Sequence, residues 1–139
     1  MPRIINQWKR TLKGQRGTAT VEFGLMVILF LMLVVGLMEF GRAMRDYSVV
    51  SSAAREGVRY AAVRGSKSGH AATATDISNY VKSKALGLPV DVNVSWEPDN
   101  APGNKVRVQV DYTFRSVAPV LLSTNTIRLR SASKMVIAQ

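Results

Sequence analysis

Sixteen consecutive residues, Phe23–Met38 (FGLMVILFLMLVVGLM), carry no charge and no proline. As a helix they rise about 24 Å. Thr18–Glu22 and Glu39–Phe40 extend the segment to 23 residues interrupted by two acids. At about 1.5 Å per residue it then reaches roughly 34 Å, enough for a hydrocarbon core of ~30 Å. The expectation is one transmembrane helix over residues 18–40, its ends close to the two interfaces.

Charge fixes the direction of crossing. Lys and Arg number 19 against nine Asp and Glu, for a net charge of +10. Residues 1–17 hold Arg3, Lys9, Arg10, Lys13 and Arg16 and no acid, so the leader carries +5. Residues 18–139 hold the other 14 basic and nine acidic residues, again +5. Basic residues on one flank predict a cytoplasmic N-terminus and an exported segment 41–139. The nearest competitor is a cleaved secretory signal, which needs a small-x-small site after the apolar run. The sequence there is Met38-Glu39-Phe40-Gly41-Arg42-Ala43, which has none. The leader therefore reads as a topology signal rather than a nucleic-acid arm.

Beyond Phe40 no helix breaker occurs before Gly65. Met44, Tyr47, Ser51, Ala54, Val58 and Ala61 recur at helical spacing, which predicts an amphipathic stem, 41–64, continuous with the membrane helix. Ala53, Gly57, Ala61 and Gly65 fall every four residues as a ridge of small side chains. Such a ridge admits close approach of another backbone, either the head's own sheet or another subunit. Gly65–Thr73 reads as a loop, and Thr75-Asp76 as the cap of a short helix Ile77–Leu86 ending at Gly87. The period then changes to two. Val90, Val92, Val94 and Trp96, then Val106, Val108, Val110, Tyr112 and Phe114, alternate with polar residues and read as a hairpin. Val117–Leu122 reads as a short helical turn around Pro119, and Thr126 to Ile137 as a last strand with Ile127 and Leu129 inward. The expected fold is α+β: a long N-terminal helix packed on a small three-stranded antiparallel sheet.

Recognisable catalytic chemistry is absent from the sequence. There is no cysteine, and the single histidine, His70, stands in a Gly/Ser loop. Phosphate-loop, dinucleotide and nucleophile-elbow patterns do not occur, and nothing assembles nucleophile, base and oxyanion donors. Neither an enzyme nor a metal, cofactor or small-molecule substrate is expected. Asn93-Val94-Ser95 matches a glycosylation sequon but falls inside an expected strand.

The distinctive feature is Gly17-Thr18-Ala19-Thr20-Val21-Glu22-Phe23 at the junction of leader and apolar helix. A carboxylate in the first turns of a membrane helix costs roughly 2–4 kcal/mol unless paired or neutralised, so Glu22 needs a partner. Arg16 and Lys13 are local candidates. Glu39 at the far end has Arg42 three residues on, an interfacial pair. A basic leader ending in glycine, before an apolar helix with glutamate at its fifth position, resembles a type IV prepilin. The resemblance implies that a membrane aspartyl prepilin peptidase cuts between Gly17 and Thr18. Thr18 then becomes the N-terminus, a candidate for methylation, and Glu22 neutralises the terminal amine of a neighbouring subunit.

Three segments narrow the resemblance. Arg16–Phe23 (R-G-x-A-x-V-E-F), Glu39–Arg42 (E-F-G-R) and Ala53–Ala61 (A-x-R-E-G-x-R-Y-A) are similar to the TadE-like family. Its members are minor pilins or pseudopilins of the tight-adherence (Flp) pilus system. Members often carry a mid-helix proline, which this sequence lacks near Ile28. The resemblance implies a single-pass protein of the bacterial inner membrane. Its expected partners are the peptidase, other pilin subunits and the pilus assembly platform. Phe23, Ala53, Gly57 and Ala61 are the expected helix-packing residues. Two other readings stand beside it. One is a permanently anchored protein whose head binds a secretion-complex partner. The other is a DNA-uptake pseudopilin using Arg107, Arg128 and Arg130.

Overall fold

The computed structural model describes residues 5–118 and 126–138, with side chains from residue 17 onward. Five elements follow in order: α1 (Ile5–Ala62), α2 (Ala74–Lys84), β1 (Val90–Glu97), β2 (Lys105–Arg115) and β3 (Thr126–Val136). The chain forms two compact units, residues 1–38 and 39–139. The long helix, the three-stranded antiparallel sheet and the α+β class are as the sequence predicts. The expected helical turn over Val117–Leu122 falls mostly on residues outside those described.

In the first unit α1 is helical from Ile5, so the backbone of the basic leader continues into the apolar segment without a break. Among the described residues one helix is long and apolar enough to cross a membrane, over Gly17–Ala62, with mean hydropathy 2.6 in its most apolar window and none of that window buried. Phe23, Leu25, Met26, Ile28 and Leu31 are each more than half exposed, and they fall all around the helix. A helix apolar on every side needs lipid or other helices around it.

The second unit is the head. Its sheet has the order β1-β2-β3, both pairs antiparallel. Alternation in β2 sends Val106, Val108, Val110 and Phe114 inward, where each is at most 1% exposed. Against them lie Val50, Ala53, Ala54, Val58, Ala61 and Ala62 of α1. Met44 and Tyr47, which the periodicity assigns to this stripe, are instead exposed. The buried apolar residues of α1 begin at Val50; Tyr47 shares the side of the helix taken by Ala54 and Val58 but precedes that level, and Met44 precedes it further and lies at the edge of the stripe.

α2 starts one turn earlier than expected. Thr73 is its N-cap, with a reciprocal capping box in which Asp76 at N3 reaches back to the cap backbone. The Thr73 hydroxyl accepts from Asp76 N at 3.2 Å, and Asp76 Oδ2 accepts from Thr73 N at 3.0 Å. The Thr73 hydroxyl also donates to Asp76 Oδ2 at 2.7 Å, and this bond first, with that from Thr73 N, holds the Asp76 carboxyl below its usual range. A threonine followed three residues later by an acid is the signature of such a start. Leu86 and Gly87, at φ of 51° and 82°, end the segment in the left-handed region. Ile77, Val81 and Ala85 face the core with no exposed surface. The chain's last described residues close onto the stem, Ala138 N donating to Ala62 O at 2.9 Å.

Candidate functional site: the helix boundary and the stem

Gly17 through Phe23 lie on an uninterrupted stretch of α1, and each of these residues is exposed. Glu22 stands four residues after Thr18, one turn on and about 6 Å along the axis. Its carboxylate and the Thr18 nitrogen therefore belong to adjacent turns of one helix. Within the uncut chain that nitrogen is a neutral amide with no charge to offer. Phe23, next to Glu22, is 69% exposed and opens the apolar surface.

The ridge of small residues lies in the other unit, inside the head. Ala53 and Ala61 are 1% and 2% exposed, and Gly57 and Gly65 are buried. At Gly57 a Cβ would run into Val81 Cγ2 of α2 and stand 3.2 Å from Val108 Cγ1 of β2. The glycine is thus the point where stem, second helix and sheet meet. Of the two readings of the ridge, this contact is with the head's own elements. Tyr60 of the stem and Tyr80 of α2 stack beside it, ring centroids 4.3 Å apart, with Arg64 over the outer face of Tyr60 at 3.9 Å.

Glu39 is the buried acid of the head, 8% exposed. It takes Arg42 Nη1 at 2.9 Å, the i+3 pair that the sequence suggests. Both its oxygens also accept from Val117 N at 3.4 Å, a partner 78 residues away that no local pattern could reveal. Arg42 in turn lies over the Phe114 ring, 5.5 Å from its centroid. One carboxylate so fastens the end of β2 to the first turn of the head's helix. Nearby, burial raises the Tyr112 hydroxyl pKa, and the charge of Asp46 adds to the shift.

The outward sheet face is polar. Asn93, Ser95, Glu97, Arg107 and Gln109 line an open hollow of about 240 Å³. Arg130 Nε donates to Asp111 Oδ1 at 2.6 Å, and Lys134 Nζ to Glu97 Oε1 at 2.9 Å. These pairs hold the Asp111 and Glu97 carboxyls below their usual values. Of the three arginines considered for DNA, Arg130 is committed to an acid, Arg107 lines the hollow and Arg128 is exposed. Among the described residues no cluster of three or more His, Asp or Glu side chains could hold a metal.

The Asp111–Arg130 pair gives a pH signature with a defined sign. A carboxyl whose folded pKa is depressed adds stability above its unfolded value near 3.8, and that stability fades as pH falls through the lower folded value. Arg130→Ala is expected to raise the Asp111 pKa toward 3.8 and to cost less than about 1 kcal/mol at neutral pH. Titration of the Asp111 carboxyl carbon by NMR checks it. An unmoved midpoint in the variant would show that the cross-strand pair does not govern this group.

Residues 17–59 match the family described as TadE-like protein. That stretch, the apolar helix and most of the stem, is similar to the family and makes up less than half of the chain. All but Arg16, Tyr60 and Ala61 of the three segments noted in the sequence fall within the match. It starts at Gly17, the glycine that closes the basic leader. No curated protein and no solved structure matches the chain.

Proposed function

We propose that this chain is a minor pilin of a tight-adherence pilus, cut between Gly17 and Thr18 by a prepilin peptidase before it joins or primes the filament. The observation that carries the reading is the register of the family match. It opens at the glycine ending the leader, five residues before Glu22 and directly ahead of the apolar stretch of α1, whose surface is uncovered. Cleavage would turn the Thr18 amide into an ammonium, and a neighbouring subunit shifted along the bundle would bring its Glu22 to that charge. In a low-dielectric bundle such a pair relieves the desolvation of both ions. The uncut leader would keep Thr18 neutral and leave Glu22 without that partner.

The test is N-terminal sequencing of membrane-isolated protein from cells with and without the peptidase. Thr18 is expected as the first residue where the peptidase is present, and the original N-terminus where it is absent. Gly17→Ala should block the mobility shift that accompanies leader loss. An intact leader in peptidase-positive cells would instead support the permanently anchored protein with a partner-binding head.

A further inference from the structure

The sheet of the head has the order β1-β2-β3, and among the described residues no strand or backbone hydrogen bond takes up the outer side of β1 or of β3. Just past β3, Ile137 N donates to Asn104 O at 2.8 Å. Backbone groups alternate along an antiparallel pair, so Leu129, Ser131, Ser133 and Met135 bond to β2. Arg128, Arg130, Ala132 and Lys134 then present their N–H and C=O groups at the open edge. The same alternation, carried across β2, leaves those of Val90, Val92, Val94 and Trp96 at the open edge of β1. Unpaired edges of this length are templates for another strand.

Each edge carries one sign of charge on its outward face. On β1 the outward residues are Asp91, Asn93, Ser95 and Glu97, and on β3 they are Arg128, Arg130, Ala132 and Lys134, all exposed. Two β3 edges brought together would set cations against cations, and two β1 edges would set acids against acids. Unlike edges match. Asp91 and Glu97 stand six residues apart, and so do Arg128 and Lys134. With Asp91 opposite Arg128, Glu97 falls opposite Lys134, and Ser95 opposite Ala132. β1 and β3 both run antiparallel to β2, so a second head in the same orientation meets β3 in the parallel sense. In a parallel pair each edge-directed residue bonds the two that flank the one opposite, here Arg128 with Val90 and Val92. On the inner face the same register sets Val92 against Leu129, both half-buried in the single chain. Backbone, side-chain face and charge thus agree in one register.

We propose that the head binds a second copy of this chain edge to edge, β3 of one pairing in parallel with β1 of the next to make one continuous sheet. Exposed ion pairs are weak, so charge selects the edge and the register while backbone bonds and the apolar inner pairs supply the hold. The Glu97–Lys134 pair inside each head becomes part of a row that alternates in sign from copy to copy. The contact is heterologous, leaving a free acidic edge at one end and a free basic edge at the other. It lies wholly in the head and is independent of cleavage at Gly17.

The chain has no cysteine, so an introduced one is its sole thiol. Opposite residues on neighbouring strands lie about 4.8 Å apart, a separation that a disulfide spans. Full-length Ser95→Cys and Ala132→Cys chains, with tags of different length, are reconstituted together in lipid vesicles and oxidised. The mixed dimer is expected to exceed either like dimer by about tenfold. Ser95→Cys with Arg128→Cys, about 13 Å out of register, should link far less. Arg128→Glu on the Ala132→Cys chain should cut the mixed dimer about threefold, and Asp91→Arg on the Ser95→Cys chain should restore it. Restoration by the exchanged charges separates a lost contact from a lost fold. Like dimers as abundant as mixed ones, equal linkage out of register, no dimer at all, or a loss that the exchange does not restore overturns the edge contact.

Discussion

Valine at position 57 is expected to lower the unfolding midpoint of the head by more than about 10 °C. The Cβ alone would collide with Val81, and Val81 has no exposed surface through which to retreat. Val108, the other near neighbour, is equally enclosed on the central strand. Overpacking of this kind costs about 1–3 kcal/mol, and here two elements would have to move. For a head of this size each kcal/mol shifts the midpoint by roughly 4 °C or more. Alanine at 57 gains roughly 1 kcal/mol of helix propensity but meets the same Val81 methyl, so its net effect is smaller. Val81→Ala opens that space. The Gly57→Ala/Val81→Ala pair should therefore lose less than the sum of the two single changes. Thermal unfolding of the detergent-solubilised chain, followed through Trp96 in a Trp8→Phe background, measures both. A Gly57→Val chain that melts with the unmodified one would mean that the stem does not seat on α2 as described.

Glu22→Gln is expected to leave membrane insertion and leader removal intact while reducing the subunit in the sheared pilus fraction tenfold or more. Glutamine keeps the size and the hydrogen-bonding capacity but cannot neutralise an ammonium. Breaking a buried ion pair by removing one partner costs about 3–5 kcal/mol, because the remaining charge stays desolvated. Glutamine carries no charge, so the change eases the cost of a carboxylate at the start of the membrane helix and does not hinder insertion of the precursor. Immunoblots of sheared and membrane fractions separate the two effects. Unchanged recovery in the pilus fraction would remove the proposed role of Glu22. Retention of all protein in the membrane, for variant and unmodified chain alike, would favour the permanent anchor.

Much of this architecture was legible in the sequence because its signals are one-dimensional. An uncharged run long enough for a bilayer reads directly as a membrane helix. Strict alternation in Val106–Phe114 reads as a strand buried on one face. The Glu39–Arg42 pair follows from helical spacing alone. What stayed hidden depends on register or on distant approach. Asp111 meets Arg130 only once β2 and β3 are aligned. Val117 N reaches Glu39 only once the whole head has closed. The ridge Ala53–Gly57–Ala61 announced a close contact but not its partner, which the enclosed Val81 and Val108 supply. The exposure of Met44 and Tyr47 was missed because periodicity gives the side of a helix and not the level at which its neighbours begin to cover it, which here is Val50.

α1 passes through Gly17 and Thr18 without interruption. A peptidase needs its substrate backbone drawn out into the active site, and a peptide bond in mid-helix is tied into the ladder of turns on both sides. Cutting there requires the helix to fray locally first. Glycine, about 1 kcal/mol worse than alanine at holding helical backbone, makes that opening several times more frequent. With nothing within 4 Å of where its side chain would project, Gly17 gains no packing to offset the loss. Under the proposed processing, Gly17 would loosen the helix beside the bond that the peptidase cuts.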